Sequence, residues 1–464
     1  MIPRSISRRP LRAVACAAIV LLLVYSFSDV SFANFGGRGY HSWRWQSSEG
    51  VSPFNETCKA SRAAVARDVL VIVKTGGSEP LGRLTTQIAT LLTEVPMQNL
   101  LILSDLDEDV GFYHIQDVLK DIPKEERDVY PAFGLYDQQQ VLKAEGKDTR
   151  QLNGWELDRY KNLPMKRMIW NSQQALKEED RKKWFLFIDT DTWVEWDNIF
   201  ELLGHLDYKD KLYMGSPVWR KPLLEFAHGG SAYVFSYAAL EALNKPDSHT
   251  IGTPLYSQYG VNVTSICCGD LAVALALNDR GIGMKGYWPM FNGEIAATSP
   301  YGDDHWCEPV ISFHHIGESE LDDFWRWHKN WKAKTGGLVW LTTRDVMSSA
   351  NTSQQPLLYK DVYEYVADGF MDKRENWNNI EEVSRSLDAA TFEDCRDACE
   401  VDRLCYQFTH HGGKCDLAHY FRVGRVRHLE AGKDKFVAGW HMGRIQAFMA
   451  RKKCKTAHWV KSNP

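Results

Sequence analysis

Apolar positions along this chain gather in short unbroken runs, and each run ends on a polar tip. "DVLVIVKTG" (68–76) ends in Lys74 and Thr75, "NLLILSD" (99–105) in Ser104 and Asp105, and "WFLFID" (184–189) in Asp189. Continuous apolar runs read as strands buried on both faces, because a one-sided strand would alternate. Leu84–Thr93 has helical spacing, and Asn171–Lys182 reads as a polar-faced helix feeding the third strand. Strands alternating with helices indicate an α/β domain with a parallel sheet, and such sheets bind ligands beyond the carboxyl ends of their strands. The three tips therefore point to one cleft. Further on lie "LYMGSP" (212–217), the Gly-rich "FAHGGSAYVFS" (226–236), a helix from about Asp270 to Asp279, and "PVISFHHIG" (309–317).

The N-terminus follows a different pattern. Arg4, Arg8, Arg9 and Arg12 precede an uncharged apolar run, Ala13–Phe27. Basic residues before such a run put the tail in the cytosol and the remainder in the lumen. The run is short for a span of about 20 residues, a length that thinner secretory membranes tolerate. The expected organisation is a cytosolic tail (1–12), a transmembrane signal-anchor (13–30) and a Gly/Ser-rich stem (31–66). A cleaved signal peptide ending near Ser31-Phe32-Ala33 is the alternative. A catalytic α/β domain (67–337), a linker (338–358), a cysteine-rich module (359–454) and a tail (455–464) complete the chain.

Composition changes this picture little. The chain is 44% hydrophobic and 25% charged, as globular proteins are, and its net charge of −5 gives no reason to expect nucleic acid as a partner. Seventeen tryptophans suit core filling first and ring stacking on sugars or bases second. Three sequons, at Asn55, Asn262 and Asn351, become usable glycosylation sites in a lumenal protein. Nine cysteines follow the apolar run, four of them between 395 and 415, a density that suits disulfides in an oxidising compartment.

The candidate chemistry centres on Asp189-Thr-Asp191. Two carboxylates bracketing one residue offer oxygen ligands to Mg²⁺ or Mn²⁺, which complete their shells with substrate phosphates. His314 or His315, after a strand, could add an imidazole. Gly229 and Gly230 permit close backbone approach. Asp270 opens an apolar helix; it is either a helix cap or a general base aimed at an acceptor hydroxyl. Asp197 reads as a surface residue, and 246–266 and 318–335, with Trp325, Trp327 and Trp331, as acceptor loops.

In order, "VIVKTG" with Arg83, "WFLFIDTDTWV", "FAHGGSAYVFS", "GDLAVALAL" and "SFHH" resemble the Fringe and core 1 β1,3-galactosyltransferase family, glycosyltransferase family 31, over roughly 68–330. The resemblance implies a GT-A fold with a Rossmann-like mixed sheet, in a single-pass type II Golgi membrane enzyme. It also implies Mn²⁺ (or Mg²⁺), a UDP-sugar donor, a glycan or glycoprotein acceptor, and inversion at the anomeric carbon. Carried over, Asp191 and His314 bind the metal, and Asp270 is the catalytic base. Lys74, Thr75, Arg83, Asp105 and Asp189, with Gly229 and Gly230, lie along the nucleotide-sugar. The chain departs from the family at Gly269, where many members are acidic, and at Ala274, where many have glycine. The histidine directly after Phe313 fits the family pattern, although the doublet leaves either position open.

The module around "SLDAATFEDCRDACEVDRLCYQFTHHGGKCDL" resembles a PAN/Apple domain, a small disulfide-stapled α+β fold. That resemblance implies Cys395 paired with Cys415 and Cys399 with Cys405, among three possible connectivities. It also implies a glycan or protein partner. The expected function is transfer of galactose or N-acetylglucosamine from UDP to an acceptor hydroxyl, in a β1,3 linkage. The alternative is an inactive lumenal protein that binds carbohydrate or protein through the Apple-like module. A hydrolase using Asp189 and Asp191 is set aside, since carboxylates one residue apart cannot flank a glycosidic bond.

Overall fold

A computed structural model describes residues 60–220, 224–245, 255–335, 355–428 and 434–462. The expected anchor, most of the stem, Cys58, Asn55, Asn351 and most of the linker lie outside these residues. Among the described residues no helix is long and apolar enough to cross a membrane. The last stretch expected as stem is ordered instead. Helix Arg62–Asp68 starts from a Ser61 cap and buries Val65 and Ala66.

The apolar runs form the sheet they predict. Strands β1 (Val69–Lys74), β2 (Leu100–Ser104), β3 (Glu108–Val110), β4 (Tyr113–Asp117), β5 (Trp184–Asp189), β6 (Trp193–Val194), β7 (Tyr213–Gly215), β8 (Pro217–Arg220), β9 (Leu224–Ala227), β10 (Tyr233–Ser236), β11 (Met284–Gly286) and β12 (Ser312–Phe313) follow in chain order. Eight of them make one sheet, ordered β11-β7-β10-β5-β1-β2-β4-β3. The sheet is mixed, because β10 runs antiparallel between β5 and β7 and β3 returns antiparallel on β4. In the parallel centre, Val69, Val71, Ile72, Val73, Phe185 and Leu186 are all fully buried, so both faces are covered. This is the α/β arrangement of a GT-A-like domain.

Two helical expectations move. The helix after β1 is α1 (Leu81–Ala89), earlier than Leu84–Thr93, and a 3₁₀ turn follows it. The helix before β5 is α2 (Trp155–Gln174), which carries Pro164 inside it and buries Leu157, Tyr160, Leu163 and Ile169. The expected segment Asn171–Lys182 catches only its final turn. Arg181 Nε donates to the Gln173 and Leu176 carbonyls and closes the helix end. Helix α3 (Gly269–Asn278) packs on α2, and seven of its ten residues are buried. Helix α4 (Glu318–Thr335) replaces the acceptor loop expected at 318–335 and lies on α1. Trp331 and His328 are buried on its inner face, so the segment's aromatic spacing is helical core packing.

Two compact units divide the described chain: Asp372–Met442 on one hand, and the residues before Asp372 and after Met442 on the other. The small unit is narrower than the module expected over 359–454. Helix α5 (Tyr359–Val366) belongs to the large unit, where the Tyr359 hydroxyl donates to Pro289 O at 2.8 Å. In the small unit, β13 (Arg374–Glu375), β15 (Arg385–Asp388), β16 (Gln407–His411), β17 (Lys414–Ala418) and β19 (Val437–Trp440) form a sheet ordered β13-β19-β16-β17-β15. Strands β14 (Trp377–Asn378) and β18 (Arg425–Val426) pair separately. Helix α6 (Phe392–Val401) starts from a Thr391/Asp394 capping box. Disulfides Cys395–Cys415 and Cys399–Cys405 staple it, in the pairing the PAN/Apple resemblance implies. Helix α7 (Met442–Arg451) then leads back to the large unit. There Phe448 packs on Trp306 and Cys454 is bonded to Cys307. A fourth disulfide joins neighbours Cys267 and Cys268.

Candidate active site

Strand register assembles the site. Lys74 at the end of β1 pairs with Asp189 at the end of β5, and β2 ends beside them at Ser104. Lys74 Nζ lies 3.5 Å from Asp189 and 3.0 Å from Asp158, a residue of α2 that the sequence patterns do not single out. Burial alone would lower the Lys74 ammonium. Asp158, Asp189 and Asp270 outweigh it and raise Lys74 well above the ordinary lysine value. Asp158 would likewise rise on burial, but Lys74 and Lys161 hold it down at about 2.

Asp105 does not stand open to the cleft. It is 1% exposed, accepts from Gly77 N and Gln139 Nε2 at 2.8 Å each, and lies 3.2 Å from Lys161. Lys161 in turn donates to Thr75 O at 2.8 Å. Asp105 thus braces the loop after β1, and Thr75, itself buried, bonds through its hydroxyl to Glu79 at 3.2 Å. Glu79 also accepts from Thr190 Oγ1, between the two aspartates, at 2.9 Å. Neither Glu79 nor Lys161 carries a motif visible in one sequence.

The turn Asp189–Thr192 is held from three sides. Gln87 of α1 donates to the Asp189 and Thr192 carbonyls, Thr192 Oγ1 donates to Gly230 O, and Ile316 N donates to Asp191 O. The two carboxylates are driven apart. Burial raises Asp189, with Lys74 opposing and Asp158 and Asp191 adding to the rise. Burial would raise Asp191 too, but His314, Arg83 and His315 hold it at about 2. Asp191 Oδ1 is 3.2 Å from His314 Nε2, and its Oδ2 is 4.0 Å from His315 Nδ1 and 3.5 Å from Arg83. One donor atom from each of Asp191, His314 and His315 falls within 4.8 Å of the others. His315 reaches this position with φ of 62°, a left-handed backbone seldom adopted by non-glycine residues and concentrated at functional sites. Carboxylate and imidazole donors at this spacing suit a single divalent cation such as Mn²⁺.

Asp270, the second residue of α3, accepts from Gly229 N at 2.9 Å. Burial pushes its carboxyl up to about 6; Lys74 opposes the rise, and Asp158 and Asp189 add to it. The two glycines therefore have a reason that sequence reading did not supply. A Cβ at Gly229 would collide with the Asp270 carboxylate, and a Cβ at Gly230 with the His314 imidazole. Gly269, where the family is often acidic, is equally constrained, because a Cβ there would strike the Asn162 amide. His228 precedes the pair; its Nδ1 bonds Ser231 Oγ at 2.7 Å, and its ring packs edge-on against His314. Burial, then the neighbouring histidines, pushes His228 down to about 3 and leaves it neutral.

A Fringe-like family model matches residues 132–250, a stretch that holds Asp189, Asp191, Gly229 and Gly230. This stretch is Fringe-like. That kinship implies a glycosyltransferase, and the mixed sheet with the acidic turn at the end of β5 agrees with it. The Fringe-like stretch supplies the β5 tip with Asp189 and Asp191, while Lys74, Asp270 and His314 reach the site from outside it. No curated protein matches the chain. Of the sequons, Asn262 stands exposed as the cap of the 3₁₀ turn Val263–Ser265, its side chain accepting from Thr264.

Proposed function

We propose that this chain is an inverting, metal-dependent hexosyltransferase that moves galactose or N-acetylglucosamine from a UDP-sugar to a glycan or glycoprotein hydroxyl, forming a β1,3 linkage. One observation carries the reading: consecutive backbone positions, Gly229 and Gly230, touch the Asp270 carboxylate and the Asp191-linked His314 respectively. A candidate base and a candidate metal ligand thus stand next to one another, each packed on one of two consecutive backbone positions. Asp191 and His314, with His315 in reach, would hold Mn²⁺ or Mg²⁺; when bound, the ion offsets charge on the departing diphosphate. Asp270 accepts the proton of the acceptor hydroxyl as its oxygen bonds to the anomeric carbon and the bond to UDP breaks. The Gly229 N–H aims that carboxylate, and its raised value keeps it basic enough for the task near neutrality. Lys74 balances the surrounding carboxylates, so that Asp189 and Asp270 can coexist beside a diphosphate.

The N-terminal basic and apolar pattern supports a type II Golgi enzyme with a lumenal catalytic unit, and the small unit supports recruitment of a glycan or protein. The test is UDP release by the purified lumenal chain with a panel of UDP-sugars, with and without Mn²⁺. Turnover should require the metal, and Asp191→Ala should reduce it by about a thousandfold or more. Metal-independent turnover, or full turnover in Asp191→Ala, would sink this mechanism.

A further inference from the structure

His228 is the one side chain on the backbone segment that joins the base to the metal pair. Its neighbour Gly229 donates its N–H to Asp270, and Gly230 lies beneath His314. In a single displacement the transferred sugar must sit between the acceptor base on one side and the metal-held diphosphate on the other. A sugar spanning those two points therefore lies along His228-Gly229-Gly230. The two glycines present only backbone there. The His228 imidazole is fixed on both sides, by its Nδ1 bond to Ser231 Oγ at 2.7 Å and by its edge-on packing against His314 at 5.1 Å between ring centres. Its backbone is pinned as well, since His228 N donates to Ser216 O at 2.9 Å. Ser231 is itself locked, its carbonyl accepting from Ser312 Oγ. A rigid ring of this kind can read the orientation of a sugar hydroxyl, because a hydrogen-bonding site discriminates strongly against an epimer that leaves it unmatched.

We infer that His228 contacts the transferred hexose and determines which UDP-hexose the site accepts. The assignment rests on the transferase reading above. Two variants test it in the lumenal chain. His228→Phe keeps a ring against His314 and removes both nitrogens; His228→Asn keeps a polar amide and removes the ring. Each is assayed with UDP-galactose, UDP-N-acetylglucosamine and UDP-glucose, alongside the affinity for UDP alone and the Mn²⁺ concentration for half-saturation. The expected result for His228→Phe is a loss of about ten- to a hundredfold in kcat/KM for the preferred donor, with the ratios between donors compressed toward unity. UDP affinity and Mn²⁺ half-saturation should stay within about twofold, and His228→Asn should recover part of the discrimination. Unchanged donor ratios in a wild-type-active protein would overturn this assignment alone, as would a loss confined to UDP or Mn²⁺ binding. A wild-type chain that neither binds nor turns over any UDP-hexose would overturn the transferase reading, and this assignment with it.

Discussion

Two groups of acids stand a few residues apart on either side of β6, and they behave in opposite ways. Asp189, Asp158 and Asp270 gather around Lys74 at the sheet's carboxyl end, with Asp191 beside His314 and Arg83, and these aspartates keep partial exposure. Glu195 and Asp197 turn inward with Glu94 and meet His328 and Lys332 from α4, all five almost fully buried. Asp197 is therefore no surface residue: it is 2% exposed and lies 3.0 Å from Lys332. The segment that reads "DTDTWVEWD" holds both groups, and its residue types are nearly the same in each. What separates them is what faces them. At the first the carboxylates sit at strand and helix ends and keep partial exposure to solvent, while a helix inserts its own cation into the second. An acid cluster becomes a candidate site only where the fold supplies no permanent partner for all of its charge.

The comparison breaks most readily at Asp270. Asp270→Asn keeps shape and the Gly229 contact but cannot take a proton. Turnover should fall by about a hundred- to ten-thousandfold, with UDP-sugar binding largely kept. A full rate in this variant would place the base elsewhere. In the buried group the corresponding change is Lys332→Met. It leaves three buried carboxylates with too little positive charge, and removing one partner of a buried ion pair costs about 3 kcal/mol or more. Burial lowers Lys332 less than Glu195, Asp197 and Glu94 raise it, so the ammonium is what this group is built around. Denaturant melts should show the loss, and the protein that remains folded should bind Mn²⁺ as before. Weakened Mn²⁺ affinity without lost stability would mean that the two groups are one.

Much of this was legible in the sequence, for identifiable reasons. The buried strands were, because a run such as Val69–Val73 leaves no polar residue for a solvent face. The shared cleft followed, because parallel strands carry their tips to one edge. Helix α2 was misplaced, since its buried face carries Lys161, Asn162 and Lys166, polar residues that hide its period. Asp158, Glu79 and Gln87 were missed because each acts through a partner distant in the chain: Lys74, Thr190 and the Asp189 carbonyl. The inward turn of Asp197 depends on Lys332, a residue on a different helix, and no local spacing reports that.

The smallest effect concerns the cost of keeping Asp270 ready. Its folded value is raised to about 6 from a carboxylate's ordinary 3.8, chiefly by burial. Between those two values the folded chain holds a proton that the unfolded chain gives up. Stability therefore declines as pH rises through about 4 to 6, and the charged form remains a burden above that window. Below it the two states are equally protonated and no penalty exists. Asn at this position carries no charge at any pH, and a shift of about two units is worth at most about 3 kcal/mol before solvent screening of this partly exposed carboxyl, so Asp270→Asn should be more stable than the parent at pH 7 to 8 by roughly 1 to 3 kcal/mol, and equal to it near pH 3.5. The parent's kcat/KM should fall about tenfold per unit below pH 6, as its base is protonated. Melts of both proteins at the two pH values decide the matter. A variant that loses stability at pH 8 would show that the Asp270 charge is supported by its surroundings, as the acids of the inward-facing group are by Lys332.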